Sequence, residues 1–142
     1  MGGLFKQFKT SADSEVNGIE VKFEEATNDD GTIPTFVIAR MGKSNKAYSK
    51  ALEAKTRPVR RLIELGTLPN EKAEDIFKDV FVDNVLKGWS NVYDEAGEAI
   101  PYTRENALML MEALPDVYDR LTSEAGLAAN FLEAAREKEA KN

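Results

Sequence analysis

The stretch Leu86-Lys87-Gly88-Trp89-Ser90-Asn91-Val92-Tyr93-Asp94-Glu95-Ala96-Gly97-Glu98-Ala99-Ile100-Pro101-Tyr102-Thr103-Arg104-Glu105-Asn106-Ala107 decides how this chain folds. Gly88 suits the left-handed residue that closes a helix. Trp89, the one tryptophan of the chain, follows at once. Asp94 to Gly97 carries turn chemistry, and Pro101-Tyr102-Thr103 launches another helix, with Thr103 placed to cap it.

Working outward from that stretch, Ala73, Ile76, Phe77, Val80, Phe81 and Val85 recur at steps of three and four before Gly88. Glu74, Asp75, Lys78, Asp79 and Asp83 take the other side, as in an amphipathic helix. Downstream, Ala107, Leu110, Met111 and Leu114 define a helix, and a last one after Pro115 carries Val117, Leu121, Ala128, Phe131, Leu132 and Ala135. Gly126 inside that last helix costs about 1 kcal/mol relative to Ala and marks a kink or a close helix contact.

Upstream the period changes. Ile19, Val21 and Phe23 alternate with Glu20, Lys22 and Glu24, the pattern of a strand with one buried face. Asn28-Asp29-Asp30-Gly31 supplies a turn, and Ile33 to Arg40 is rich in β-branched and aromatic residues, so a hairpin is predicted, with Pro34 favouring an edge. A lone hairpin is marginal in water and must lie on the helices or pair with another chain. From Ser44 the helical period returns: Ala47, Tyr48, Ala51 and Leu52 share a face behind a Ser44 or Asn45 cap. Pro58 forces a boundary, and Val59, Leu62 and Ile63 form a short helix closed by Gly66. Residues 1–15 show no sustained period and read as a flexible arm; the alternating charges of 136–142 read as a frayed tail. The expected fold class is mainly α (α+β), an N-terminal β-hairpin followed by a bundle of about five helices, in one globular domain over 16–135.

Composition narrows the function. A chain of 142 residues, 42% hydrophobic and 31% charged, has the make-up of one soluble globular domain. It holds no apolar run near the roughly 20 residues a membrane helix needs. Met1-Gly2-Gly3-Leu4-Phe5-Lys6 is too short in apolar length for a signal peptide and lacks the Ser or Thr of a myristoylation signal, so a cytoplasmic location is expected. Without Cys or His there is no thiol nucleophile, no thiolate metal site, and none of the commonest general base. We expect no enzyme, no cofactor and no metal.

Charge is unevenly spread within the net value of −6. Arg40 to Arg61 holds eight basic residues, Arg40, Lys43, Lys46, Lys50, Lys55, Arg57, Arg60 and Arg61, against the single acid Glu53, a net of +7. From Thr67 to Asn142, 16 acids face 8 bases, a net of −8. The basic segment either meets an acidic partner or nucleic acid, or pairs with the acidic helices of its own domain. Only Tyr48 interrupts it as an aromatic, and no groove-fitting element or stacking platform accompanies it. Asp75, Asp79 and Asp83 line one stripe; like charges at that spacing repel, so a solvated acidic face is expected rather than a cation site. Trp89, Tyr93 and Tyr102 gather aromatic surface around one loop, suited to a core plug or to an interface anchor.

The run Leu86 to Ala107 resembles the tail assembly chaperones of long-tailed (siphovirus-type) bacteriophages. The resemblance extends to Phe36-Val37-Ile38-Ala39-Arg40-Met41-Gly42-Lys43-Ser44-Asn45-Lys46-Ala47-Tyr48 and to Ala113-Leu114-Pro115-Asp116, about residues 16 to 135 in all. It implies a non-catalytic helical protein that binds the tape measure protein, keeps it soluble and recruits tail tube subunits. Such a protein acts in the host cytoplasm and is absent from the mature virion. The pattern directs weight to Arg40, Asn45 and Tyr48, then to Gly88, Trp89, Pro101, Tyr102 and Asn106. With the basic and aromatic residues, the expected partner-binding set is Arg40, Asn45, Tyr48, Arg57, Arg60, Arg61, Trp89, Tyr93 and Tyr102. The alternative is a small regulatory nucleic-acid-binding protein using Arg40 to Arg61. The resemblance also implies products of two lengths. Ala140-Lys141-Asn142 can be encoded GCA-AAA-AAC, a string on which ribosomes slip back one base, so a frameshifted longer form of the chain is a further expected partner.

Overall fold

The computed structural model describes residues 3–133. The tail at 136–142, and the longer product expected from its codons, lie outside the described residues. The chain opens with two short helices, α1 (Leu4–Phe8) and α2 (Ala12–Asn17), then strand β1 (Ile19–Lys22) and strand β2 (Thr35–Ile38). Helices α3 (Lys46–Thr56), α4 (Arg60–Glu64) and α5 (Asn70–Val80) follow, then strand β3 (Leu86–Ser90) and helices α6 (Arg104–Ala113) and α7 (Pro115–Gly126). Within the stretch expected as an arm, α1 and the start of α2 are helical, and Ser14 and Glu15 are buried.

The expected hairpin with a following helix bundle is overturned by β3. The three strands form one antiparallel sheet in the order β1-β2-β3, with β2 in the middle. Ile19 faces Ile38 and Val21 faces Phe36 on one side of β2. On its other side Phe36 faces Trp89 and Val37 faces Gly88, after which the register shifts so that Ile38 faces Leu86 and Lys87 is left bulged. The α5 helix was expected to run to Gly88. Instead it ends at Val80, passes through a single wide π-type turn over Phe81–Val85, and turns extended at Leu86. Gly88 is not a left-handed cap but a residue of the strand.

The physical reason lies in β2. A two-stranded ribbon leaves the open edge of β2 without hydrogen-bond partners, and the segment Leu86–Ser90 is a poor helix because of Gly88. Once paired, Trp89 stacks edge-to-face on its cross-strand neighbour Phe36 at 5.9 Å between ring centroids, and Phe36 in turn meets Phe23 at 5.3 Å. Just beyond β3, Asn91 adopts φ 60°, a left-handed conformation that Asn tolerates. Its side-chain amide donates to the Ile33 carbonyl at 3.2 Å, while Asn28 donates to the Asn91 carbonyl at 2.8 Å. The loop between β1 and β2 is thereby fastened to the end of β3.

One face of the sheet carries the core. Ile19, Val21, Phe36, Ile38 and Leu86 pack with Phe81, Val82 and Val85 of the π-type turn, Leu110 and Met111 of α6, and Leu121 and Ala125 of α7. The expected continuous helix after Pro115 stops at Gly126; Leu127 is extended and Ala128–Phe131 forms a 3-10 turn that drops Phe131 into the core. A Cβ at Gly126 would meet nothing within 4 Å, so this glycine ends the helix rather than admitting a neighbour. Gly18 has the opposite role. With φ 106°, and with a Cβ there falling 2.7 Å from Val37 Cγ1 and 3.0 Å from the Ile38 carbonyl, only glycine lets α2 turn into β1 against β2.

Helices α3, α4 and α5 are inserted between β2 and β3 as a helical hairpin, and no residue from Lys46 to Asp79 is buried. This contrast gives a stability test. Phe81→Ala, at a fully buried ring packed edge-to-face on Tyr118 at 5.2 Å, should cost about 3–5 kcal/mol in urea unfolding. Leu65→Ala on the hairpin should stay within about 0.5 kcal/mol. Equal losses at the two positions would contradict this division between core and hairpin.

Candidate functional site

Arg40, Asn45 and Tyr48 come together, but around an interior carboxylate. The α2 helix, capped by Ser11, delivers Glu15 beneath the loop that links β2 to α3. Glu15 accepts from Thr10, from Ser44 and from Arg40 Nη1, the last at 3.4 Å. Asn45 is 2% exposed, and its amide donates to the Glu15 and Arg40 carbonyls, both at 3.0 Å. Its side-chain oxygen accepts from Tyr48 N and so caps α3. The Arg40 backbone N–H donates to the Glu15 carbonyl at 2.9 Å, while its Nε is buried without a partner. These groups knit the N-terminal segment to the hairpin. Asn45 is buried among them, while Arg40 and Tyr48 are half-buried.

Trp89 and Tyr102 also meet, with ring centroids 5.1 Å apart. The Trp89 indole N–H donates to the Ile100 carbonyl at 2.8 Å, and the Tyr102 hydroxyl donates to the Leu86 carbonyl at 2.9 Å. Both polar tips are thus spent in closing the loop from β3 to α6. Tyr93 stands apart from them: its hydroxyl bonds Asp30 at 3.2 Å, and its backbone bridges Ala99. Thr103 caps α6 by accepting from Asn106 N at 3.0 Å, and Asn106 donates to the Pro101 carbonyl at 2.9 Å.

Besides Tyr102, which is exposed in the loop before α6, the members of the expected set that lie on open surface are Arg57, Arg60 and Arg61, in the turn from α3 into α4. Arg57 and Arg60 share Glu53 at 3.2 and 3.9 Å; among the described residues Arg61, Lys43, Lys46, Lys50 and Lys55 make no ion pair. The acidic helices do not neutralise this segment. Their stripe is engaged elsewhere, Arg104 of α6 clasping Asp83 at 2.7 Å and Asp79 at 3.4 Å. Those hydrogen bonds to Asp83 and the charge beside them hold the Arg104 guanidinium more firmly protonated than usual. Among the described residues no cluster of carboxylates could hold a metal ion.

Apolar residues outside the expected partner-binding set lie beside those arginines in the chain. Leu62, Ile63 and Leu65 of α4 and its C-terminal turn are all exposed, as is Phe77 of α5. Their spacing was legible as a helix face. What it could not show is that the face has no layer over it. The hairpin therefore presents basic and apolar groups side by side, a surface suited to an acidic amphipathic segment.

Two measurements separate the interior groups from this surface. Asn45→Ala removes a helix cap and leaves the Arg40 carbonyl without its donor, while the Glu15 carbonyl keeps the Arg40 N–H; it should cost about 2 kcal/mol, whereas Arg61→Ala should stay within about 0.5 kcal/mol. Similar melting midpoints for the two variants would place Asn45 outside the framework. Burial raises the phenols of Tyr48, Tyr102 and Tyr118 above their ordinary 10, with Asp83 adding to the effect at Tyr102 and Asp119 at Tyr118. The folded chain keeps these protons when the unfolded chain has begun to lose them. Their contribution is fully present below about pH 10 and fades as pH rises through the raised values, so the melting midpoint should fall together with the appearance of tyrosinate absorbance above that pH. A midpoint indifferent to tyrosine ionisation would refute it.

No curated protein and no solved structure matches this chain. Residues 43–142, from the loop before α3 through the C-terminus, match the family described as YdaY prophage protein. That match spans well over half of the sequence and takes in the helical hairpin, β3, α6 and α7. The chain belongs to the YdaY prophage protein family and is phage-derived.

Proposed function

We propose that this prophage protein is a non-catalytic tail assembly chaperone that binds the tape measure protein, keeps it soluble and helps recruit tail tube subunits. It works in the host cytoplasm and does not remain in the finished virion. The observation that carries this reading is the helical hairpin α3–α5, with Leu62, Ile63 and Leu65 uncovered beside Arg57, Arg60 and Arg61. A long helical tape measure chain exposes apolar stripes until the tail tube encloses it, and an amphipathic helical surface covers such stripes. Arginines around the apolar patch add attraction for acidic side chains and set the register of the bound helix. Phage origin and the likeness of Leu86 to Ala107 to tail assembly chaperones support the same reading.

Co-expression with the tape measure protein of the same prophage tests this. The wild-type chain should hold that protein in the soluble fraction, and Arg57→Glu, Arg60→Glu and Arg61→Glu together should weaken the complex by on the order of tenfold or more, with the wild-type affinity falling as salt rises. Helicity should be unchanged, since none of the three side chains is buried. Solubility of the tape measure protein that is independent of the chain, or binding indifferent to the triple substitution, would refute the proposal. Tight, salt-sensitive binding to duplex DNA in its place would favour the nucleic-acid reading of Arg40 to Arg61.

A further inference from the structure

Two uncovered apolar surfaces lie on the molecule apart from the α4 patch, and their charges are opposite. The first is α1. Its Leu4, Phe5 and Phe8 are 76%, 83% and 71% exposed, and no residue of the helix is buried. A five-residue helix is far below the roughly 12 residues at which helices become even marginal alone in water. Lys6 lies within it, and Lys9, which directly follows, is paired with Glu133 at 3.5 Å. The chain is fastened immediately after α1, where Ser11 N–H donates to the Phe131 carbonyl at 2.7 Å and Glu133 N–H to the Lys9 carbonyl at 2.8 Å. The helix is thus held in place at its end while its apolar face has nothing over it.

The second is a groove of about 480 Å³ between α5 and α7, lined by Met41, Phe77, Pro115 and Tyr118 and rimmed by Glu74 and Asp119. Phe77 is 45% exposed there. Lys78 also reaches the rim, but Glu112 holds its ammonium at 2.6 Å, and it lies 5.8 Å from the Tyr118 ring. Neither Glu74 nor Asp119 makes an ion pair among the described residues. The charge left to the rim is therefore acidic.

We propose that α1 of one copy docks in the α5–α7 groove of a second copy, Leu4, Phe5 and Phe8 covering Phe77 and Tyr118, with the positive charge of Lys6 on the outer side of the helix adding longer-range attraction to the acidic rim. An unrelated partner would have to supply both an acidic-rimmed apolar groove for α1 and a basic apolar segment for the groove. A second copy supplies both at once, in a reciprocal two-fold pair. Each of these side chains offers on the order of 150 Å². Two insertions, with the groove walls they cover, reach on the order of 1,500 Å², the size of a stable specific interface. The α4 patch is left free by this pairing, so self-association and tape measure binding are separate properties.

Sedimentation velocity of the full chain over about a hundredfold range of concentration should show a monomer–dimer equilibrium. Phe5→Ser with Phe8→Ser should weaken it at least tenfold without changing the far-ultraviolet spectrum of the monomer, because both rings are exposed. Because the chain has no cysteine, crosslinking reads the geometry directly. A chain carrying Phe8→Cys mixed with one carrying Phe77→Cys should give a disulfide-linked heterodimer on oxidation, and Phe8→Cys mixed with Lys87→Cys should not. A wild-type chain that stays monomeric, a dimer undiminished in F5S/F8S, or a disulfide that forms only within the doubly substituted F8C/F77C chain would overturn the proposal; the last would mean that α1 folds back on its own groove.

Discussion

Pairing of Thr35–Ile38 with Leu86–Ser90 joins two segments about fifty residues apart, and most of the architecture follows from it. Phe36 becomes the middle ring of an edge-to-face series running from Phe23 to Trp89 and on to Tyr102. The π-type turn before β3 aims Phe81, Val82 and Val85 into the core, and Ala39 N–H donates to the Val85 carbonyl at 2.7 Å as the pairing ends. Everything between the two strands must leave and return to one edge of the sheet. That constraint makes α3, α4 and α5 a hairpin rather than members of a bundle. It also explains why the long segment from Lys46 to Asp79 buries none of its side chains fully.

The polar interior around Glu15 serves the same constraint from the other side. A carboxylate this buried is tolerated only because Thr10, Ser44 and Arg40 all direct donors to it, and removing any one donor would leave charge in a poorly solvated place. Through Asn45 the network also sets where α3 begins. The hairpin is thus anchored twice at its base, by hydrogen bonds to α2 and by the strand pairing. Its far end, with Arg57 to Leu65, is free of both. A rigid base and an uncovered tip suit the proposed role of holding another helical chain.

Exposed apolar side chains are contiguous at α1 and at α4 with its following turn, and Phe77 is exposed in the α5–α7 groove; Val16, Tyr102, Met109, Leu114 and Leu127 are exposed elsewhere. Scattered exposed apolar residues are ordinary in soluble proteins, but contiguous ones mark contact surfaces. Basic residues accompany α1 and α4, and acidic residues the groove. Opposite charge across complementary apolar surfaces governs which surfaces find each other and how fast, more than how tightly they hold.

Local chemistry fixed several features that are readable without any structure. The alternation of Ile19, Val21 and Phe23, the turn at Asn28 to Gly31, the caps at Asn45 and Thr103 and the break at Pro58 each depend on neighbours a few residues away. The lack of Cys and His and the basic segment are matters of composition. Leu86 to Ser90 was misread because Val85 and Leu86 continue the helical spacing of α5, and the gain that overrides it comes from Phe36 and Val37, about fifty residues upstream. Arg40, Asn45, Trp89 and Tyr102 are legible as important, but that Asn45 is interior and that the polar groups of the four are tied to Glu15, Ile100 and Leu86 is set by packing. Spacing reveals that a helix has an apolar face; whether anything covers that face is decided only when distant segments compete for the same core, and at Leu62, Ile63, Leu65 and Phe77 the sheet was already covered by α6 and α7.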